Sequence, residues 1–414
     1  MSAVPSLPEN VAPFAGRILD IDSHEMIPAQ IWVEVFGDVV KPYADRTLAS
    51  SKRAGNFNEL NAPDYVGDVR EIDPETVWIT GKGPNAPAAS DMGRRVELMD
   101  TMGINRQLMF ASGPGHGGLT MYAFRKNVAP LAASLGIAED EFHTLARRMM
   151  DAQNNWSVET ARRIPRLRPV AQIYGDTPEE LIAVAKSVID RGIRAVQVAP
   201  AILPGGVSAA SNALDPFYAM LAEANVALTL HISNETQFLD PEWNNARAFE
   251  GFKQTTELLM SPWFLQTYHL AAQNFIGTMV AGGVFDRHPT LRVAVAEFTG
   301  HWIGPLAHQL DIWHDNNQAM HPMMFADGSE GRRLPMRPSE YIARNVRVSV
   351  FDFEPVGEYI QKNGLEDVYC FMSDYPHTEG GKRPVDKLAA SLEPLGQRVM
   401  EKFFVTNGEL ILPE

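Results

Sequence analysis

The chain has 414 residues, 45% hydrophobic and 21% charged, with a formal charge of -15, which supplies a large buried core and excludes a disordered or fibrous protein. The acidic balance argues against nucleic acid and anionic membrane as partners, since both are negative, and favours a small-molecule substrate. Cys370 is the only cysteine, which excludes an internal disulfide or a thiolate-rich zinc site and suits a reducing, cytoplasmic setting.

The opening segment, MSAVPSLPENVAPFAG, lacks an export signal and reads as a loose, proline-interrupted tail over about residues 1–15. Short apolar, β-branched runs bounded by turn residues then recur along the chain, as expected of buried parallel strands. Eight are found: Arg17 to Asp22, Gln107 to Ala111, Arg168 to Ile173, Arg194 to Ala199, Val226 to His231, Arg292 to Glu297, Val346 to Phe351 and Val368 to Ser373. That count closes a (β/α)8 TIM barrel, and with no internal repeat or low-complexity linker the expectation is a single domain over residues 1–414.

Between the third and fourth strands, Thr177-Pro178-Glu179-Glu180 supplies an N-cap, a proline at N1 and a capping-box glutamate, so a helix is predicted there. Other connections are too long for simple crossovers: about 80 residues after the first strand, about 55 after the second and about 60 after the fifth. These are read as long insertions at the C-terminal face, where a barrel builds its active site. The first is expected to cover the pocket and set substrate choice; in the second, Glu139 to Met150 is predicted helical. The glycine-rich Ser112 to Gly118 segment lacks the Gly-Lys-Ser/Thr ending of a phosphate loop and is read as a loop allowing close backbone approach. That loop, His116, His377 and Arg194 complete the expected pocket.

Metal-capable side chains fall at strand ends: Asp22 and His24 after the first strand, His231 on the fifth, Glu297 on the sixth and Asp374 after the eighth. Each alone has an ordinary explanation, as a turn residue, a satisfied core histidine or a helix cap. Together they meet at one mouth once the barrel closes, and imidazole with carboxylate suits zinc, iron or manganese.

Three segments carry a family resemblance: Asp20-Ile21-Asp22-Ser23-His24, Gly282-Gly283-Val284-Phe285-Asp286-Arg287-His288-Pro289 and Ser373-Asp374-Tyr375-Pro376-His377. They resemble the amidohydrolase-2 family, which includes aminocarboxymuconate-semialdehyde decarboxylase-like metal enzymes. The resemblance implies a metal pair at Asp22 and His24, a ligand at His231, and at Asp374 a carboxylate that also handles protons. The chain departs from the family's pattern at three places. Asp22 replaces the commoner histidine, which makes iron or manganese credible beside zinc. Glu297 stands where decarboxylase-like members present a catalytic histidine, with His301 four residues on as the other acid/base candidate. The fourth strand offers no lysine for a carbamate bridge, so one cation is expected, and a second would need carboxylate bridging through Asp22 or Glu297.

The equipment predicts first a metal-dependent hydrolase acting on a small organic substrate through metal-activated water, with zinc the first choice of cation. A nonoxidative decarboxylase comes second and an iron-dependent oxygenase third. A noncatalytic subunit partnering an active paralogue is the reading from another class. The family-like assembly is a homodimer.

Overall fold

The computed structural model describes residues 7–53, 60–124, 128–232, 239–249, 262–320 and 333–414. Its framework is one eight-stranded parallel sheet whose spatial order follows the sequence: β1 (Ile18–Glu25), β2 (Ile104–Ala111), β3 (Leu167–Gln172), β4 (Ala195–Gln197), β5 (Ala227–His231), β6 (Arg292–Ala296), β7 (Val346–Ser349) and β8 (Tyr369–Cys370). The sheet curls into a (β/α)8 barrel, with helices such as Pro178–Ile189, Asp215–Glu223 and Pro338–Asn345 in the crossovers. Every predicted strand is present.

Alternation along the strands separates two layers of core. Leu19, Ile21, Leu108, Phe110, Val170, Ala195, Ala227, Ala294, Ala296 and Cys370 cluster in the barrel interior, together with the chain-terminal Ile411 and Leu412. The intervening residues, among them Met109, Leu228, Leu230, Val293 and Val295, belong to the larger cluster packed under the helices. A third cluster joins Ile27, Trp32, Phe36 and Val40 of the first insertion to Tyr122, Phe142, Met149 and Met150 of the second, so the two insertions share a small core of their own.

Closure between first and last strands is made by the backbone. Ile21 N–H donates to the Phe371 carbonyl (3.1 Å), Asp374 N–H to that of Asp22 (2.9 Å) and His24 N–H to that of Tyr375 (2.8 Å). Behind these bonds lies the buried Asp20 carboxylate, which accepts from Ser373 N–H (2.9 Å), the Ser373 hydroxyl (2.6 Å) and the Gln107 amide (2.8 Å). Burial pushes this carboxyl up to about 7 against the pull of the Ser373 and Gln107 bonds.

Local expectations are corrected at several points. The tail is not loose throughout: Val11 and Phe14 are buried, a 3-10 turn spans Ala12–Phe14, and Asn10 accepts from the Gln397 amide; residues 1–6 lie outside the described residues. Thr177 caps the Pro178–Ile189 helix as predicted, but the Glu180 carboxylate accepts from Asp176 N–H, one residue before the cap. The second insertion's helix begins at Phe142 and runs to Arg163, because buried Leu145, Ala146, Met149, Gln153 and Val158 keep one face in the core beyond Met150. The glycine-rich segment is not a loop: Pro114–Ala123 is a helix, and its glycines are thin so that neighbours can approach. A Cβ at Gly117 would lie 2.3 Å from the Tyr43 ring, and one at Gly118 2.8 Å from the Ala146 carbonyl. Among the described residues no helix is long and apolar enough to cross a membrane.

The seam yields a stability prediction. Asp20→Ala strands the Ser373 and Gln107 donors in a dry site, so unfolding free energy from urea titration should fall by about 3 kcal/mol. A loss below about 1 kcal/mol would show that closure does not depend on this carboxylate.

Candidate metal centre

The mouth of the barrel is built by three local departures from regular strand. The first is a register shift in β1: Asp20 pairs with Gln107 and Ser23 with Met109, three steps against two. The extra residue lets Ile21 stay in the barrel interior while Asp22 and His24 both reach the mouth. The second departure is at Glu297. It follows the inward-facing Ala296, so a regular strand would turn it outward; its φ of +58° instead swings it to the mouth. Asp374, four residues beyond the inward Cys370, has a φ of +48°.

Two overlapping donor groups result, each with ligand atoms within 4.8 Å of one another and all residues buried: Asp22, His24, His231 and Glu297, and His24, Glu297, Asp374 and His377. His24 Nε2 lies 3.4 Å from Asp22 Oδ1 and 3.5 Å from Asp374 Oδ1. His231 Nε2 lies 3.0 Å from Glu297 Oε2 and 3.7 Å from Asp22 Oδ1. His231 Nδ1 is 3.3 Å from the Ile232 carbonyl, which can only accept, so Nδ1 carries hydrogen, and Nε2 is the atom that offers its lone pair to a cation once its proton is displaced. Among the described residues, both oxygens of Asp22, both of Asp374, Glu297 Oε1 and His231 Nε2 lack a hydrogen-bond partner of acceptable geometry. Buried carboxylates left this way are costly unless a cation or protons offset their charge. The donor set therefore fits a divalent cation on its own chemistry.

The predicted site residues thus divide. Asp22, His24 and His231 meet, with Glu297 in the same group, while Asp374 joins the overlapping group with His377. Glu297, expected as an acid/base, stands among the donors. His301 is in neither group: it is exposed, its Nδ1 is 2.7 Å from Thr299 Oγ1, and its ring meets that of His269 at 4.5 Å. The His116 ring lies 6.5 Å from that of His231. Arg194 does not belong to the pocket; it precedes β4, at the far end of the barrel, and donates to the carbonyls of Ile189 and Ile193.

Several residues that sequence position did not single out individually support the centre. Phe110 lies beneath His231 with ring centroids 4.4 Å apart. Fully buried Arg95 donates to the His24 carbonyl (2.5 Å) and stands over the Tyr375 ring (5.5 Å). Ser112, one residue past β2, places Oγ between His24 and His377. The strand-end rule that selected His24 would have selected Ser112 too. The first insertion wraps the eighth-strand motif: Gly83 N–H donates to the Pro376 carbonyl, Lys82 Nζ to that of His377, and the Tyr375 hydroxyl to that of Pro87.

Parallel strands closed into a barrel, with a buried histidine and carboxylate centre at their C-terminal ends, define the metal-centred enzyme barrels. The family model described as Amidohydrolase matches residues 118–413, and the chain belongs to the amidohydrolase family. Asp22 and His24 precede the matched span and reach the centre through the seam.

Solved structures agree on the fold. An amidohydrolase from Mycobacterium avium subsp. paratuberculosis is 20% identical with a TM-score of 0.61, over 96% of this chain and 99% of that one. A 5-carboxyvanillate decarboxylase from Novosphingobium aromaticivorans, complexed with manganese and 4-hydroxy-3-methoxy-5-nitrobenzoic acid, is 17% identical with a TM-score of 0.56, over 100% and 99%. A 2,6-dihydroxybenzoate decarboxylase from Rhizobium is 16% identical with a TM-score of 0.55, over 96% and 98%. No curated protein matches the sequence.

Electrostatics couple the centre to pH. Burial alone would lower the His231 imidazole, but Glu297 and Asp22 outweigh it and push it up to about 10. Burial, then the charges of Glu297 and Asp22, raises the Asp374 carboxyl well above the usual carboxylate range. Before loading, the centre therefore holds protons that a cation must displace. Zinc added at pH 8 should release about one to two protons per ion, read with an indicator in weak buffer, and affinity should fall as pH is lowered to 6. Uptake without proton release would contradict these protonation states.

Proposed function

We propose that the protein is a metal-dependent hydrolase of a small organic substrate, its cation held by Asp22, His24 and His231 with Glu297 or Asp374 completing the set. The observation that carries this reading is the convergence of buried imidazoles and carboxylates, in which, among the described residues, both oxygens of Asp22, both of Asp374 and Glu297 Oε1 lack a hydrogen-bond partner. A bound divalent cation supplies positive charge that polarises a substrate carbonyl and eases ionisation of water. Asp374, with Oδ1 beside His24 Nε2 at the mouth, accepts a proton from the attacking water. That proton returns to the leaving group from Asp374 or through Glu297, whose position three ångströms from His231 keeps it at the mouth. His301, exposed beside His269, is left for contact with the substrate's outer part.

Zinc is the proposed cation, with iron and manganese as substitutes on the same donors. One domain over residues 1–414, a cytoplasmic location and a homodimer, or pairing with a paralogous subunit, complete the proposal. Nonoxidative decarboxylation is the second reading, favoured by the decarboxylases among the solved structures of this fold. In it the same centre takes a substrate carboxylate, and an acid at Asp374 or Glu297 delivers the proton to carbon.

Two measurements test the proposal. Elemental analysis of protein purified without chelator should find about one divalent transition metal per chain, and no ion retained or regained would overturn the metal reading. Screening esters, lactones and amides alongside hydroxybenzoates, with product analysis, separates hydrolysis from loss of carbon dioxide. On the substrate so found, Asp374→Asn should lower turnover per metal-loaded molecule by ~100 to 10,000-fold. Retention of more than about a tenth of the rate would remove Asp374 from proton transfer.

A further inference from the structure

We propose that Ser112 is a positioning residue that ties the centre's His24 to His377, and so fixes which nitrogen of His24 faces the cation; the proposal rests on the metal reading above. Ser112 Oγ lies 3.2 Å from His24 Nδ1 and 3.0 Å from His377 Nε2. The two rings are stacked, with centroids 3.7 Å apart and planes 20° from parallel. His377 Nδ1 in turn faces Asp374 Oδ1 at 3.4 Å.

The direction of these contacts follows from what each atom can do. A hydroxyl has one hydrogen to give and lone pairs to accept with, so it cannot donate to both rings. His24 Nε2 faces the carboxylates of Asp22 and Asp374, so as the ligand atom it leaves the ring hydrogen on Nδ1, and the Ser112 hydroxyl hydrogen goes to His377 Nε2. Ser112 Oγ then accepts from His24 Nδ1, which keeps Nε2 as the lone pair towards the cation. Donation runs one way, from His24 through Ser112 to His377.

Ser112 is itself held for this task. Its N–H donates to the buried Glu25 carboxylate (3.2 Å), which also accepts from Ile27 N–H (3.0 Å), and it sits between the end of β2 and the Pro114–Ala123 helix. The arrangement also gives His377 a role other than ligation, although it lies within reach of the second donor group. A ring stacked face to face on His24, with Nε2 turned to Ser112, supports its neighbour.

Zinc affinity, measured by competition with a chromogenic chelator on the full chain, tests the proposal alongside thermal unfolding of the metal-free protein. Ser112→Ala should weaken zinc by about 10 to 100-fold, the usual effect of removing a partner that orients a ligating histidine. Ser112→Thr, which keeps the hydroxyl, should recover most of that loss. His377→Phe keeps the stacked ring and should weaken zinc to a similar degree. Combining Ser112→Ala with His377→Phe should cost no more than either alone, because both break one chain; additive losses would overturn the proposal. Wild-type affinity in Ser112→Ala or, should that variant not fold, in His377→Phe would overturn it as well. If His377→Phe abolished binding as fully as His24→Ala, His377 would be a ligand and the relay would fall. Unchanged zinc binding in His24→Ala would instead remove the metal reading itself.

Discussion

The centre exists because the barrel closes. Asp22 and His24 lie about 350 residues before Asp374, and no local element could bring them together. The seam does so with three backbone hydrogen bonds between β1 and the chain leaving β8, among them Asp374 N–H to the carbonyl of Asp22 itself. The bond that closes the sheet and the geometry of the ligands are therefore the same feature. This explains why Asp20, two residues before Asp22 and outside the donor groups, is buried with its carboxylate committed to Ser373 and Gln107. It holds the seam from behind while Asp22 and His24 work in front.

Strain is placed where the donors need aiming. Glu297, Thr299 and Asp374 have φ values of +58°, +57° and +48°, a region that costs a residue with a side chain of order 1–3 kcal/mol. The turn after β6 is braced accordingly. Ser349 Oγ accepts from Glu297 N–H (3.2 Å), and the buried Glu354 carboxylate accepts from Gly300 N–H (2.7 Å) and Phe351 N–H (2.8 Å). These bonds come from the β7 end, so the aim of Glu297 depends on the neighbouring strand. Gly300 has its own reason to lack a side chain: a Cβ there would meet Val350 at 2.5 Å.

What could be read from sequence was what repeats. Alternating apolar runs reveal strands because each buried strand obeys the same rule, and polar residues at their C-terminal ends reveal the mouth. The register shift at Asp20 to Ser23 and the inverted φ at Glu297 were not legible, because Ile-Asp-Ser and Glu-Phe-Thr are compatible with ordinary strand. Sequence position left Glu297 open as an acid/base or as a donor to a second cation, and its geometry brings it within reach of the Asp22, His24 and His231 atoms. The glycine-rich segment misled for a different reason. Glycine normally weakens a helix by about 1 kcal/mol, but here close packing against Tyr43, Ala146 and Gln153 offsets that cost. Only the tertiary neighbours reveal this, and the same holds for Val11 and Phe14 in the tail.

Charge decides what the centre can hold. Asp22, Glu297 and Asp374 are buried within a few ångströms of the two imidazoles His24 and His231. Two carboxylates about 4 Å apart repel by roughly 4 kcal/mol at an effective dielectric constant of 20, so three cannot stand charged without compensation. Protons provide it in one state, as the raised His231 and Asp374 show. A divalent cation provides it in another, and competition between the two makes the centre sensitive to pH. The imidazoles narrow the choice further: magnesium and calcium prefer oxygen alone, whereas zinc, iron and manganese accept nitrogen with carboxylate. Exchanging the usual first-strand histidine for Asp22 adds negative charge without removing His24, which strengthens the hold on any divalent ion while leaving nitrogen donors to exclude the hardest ones.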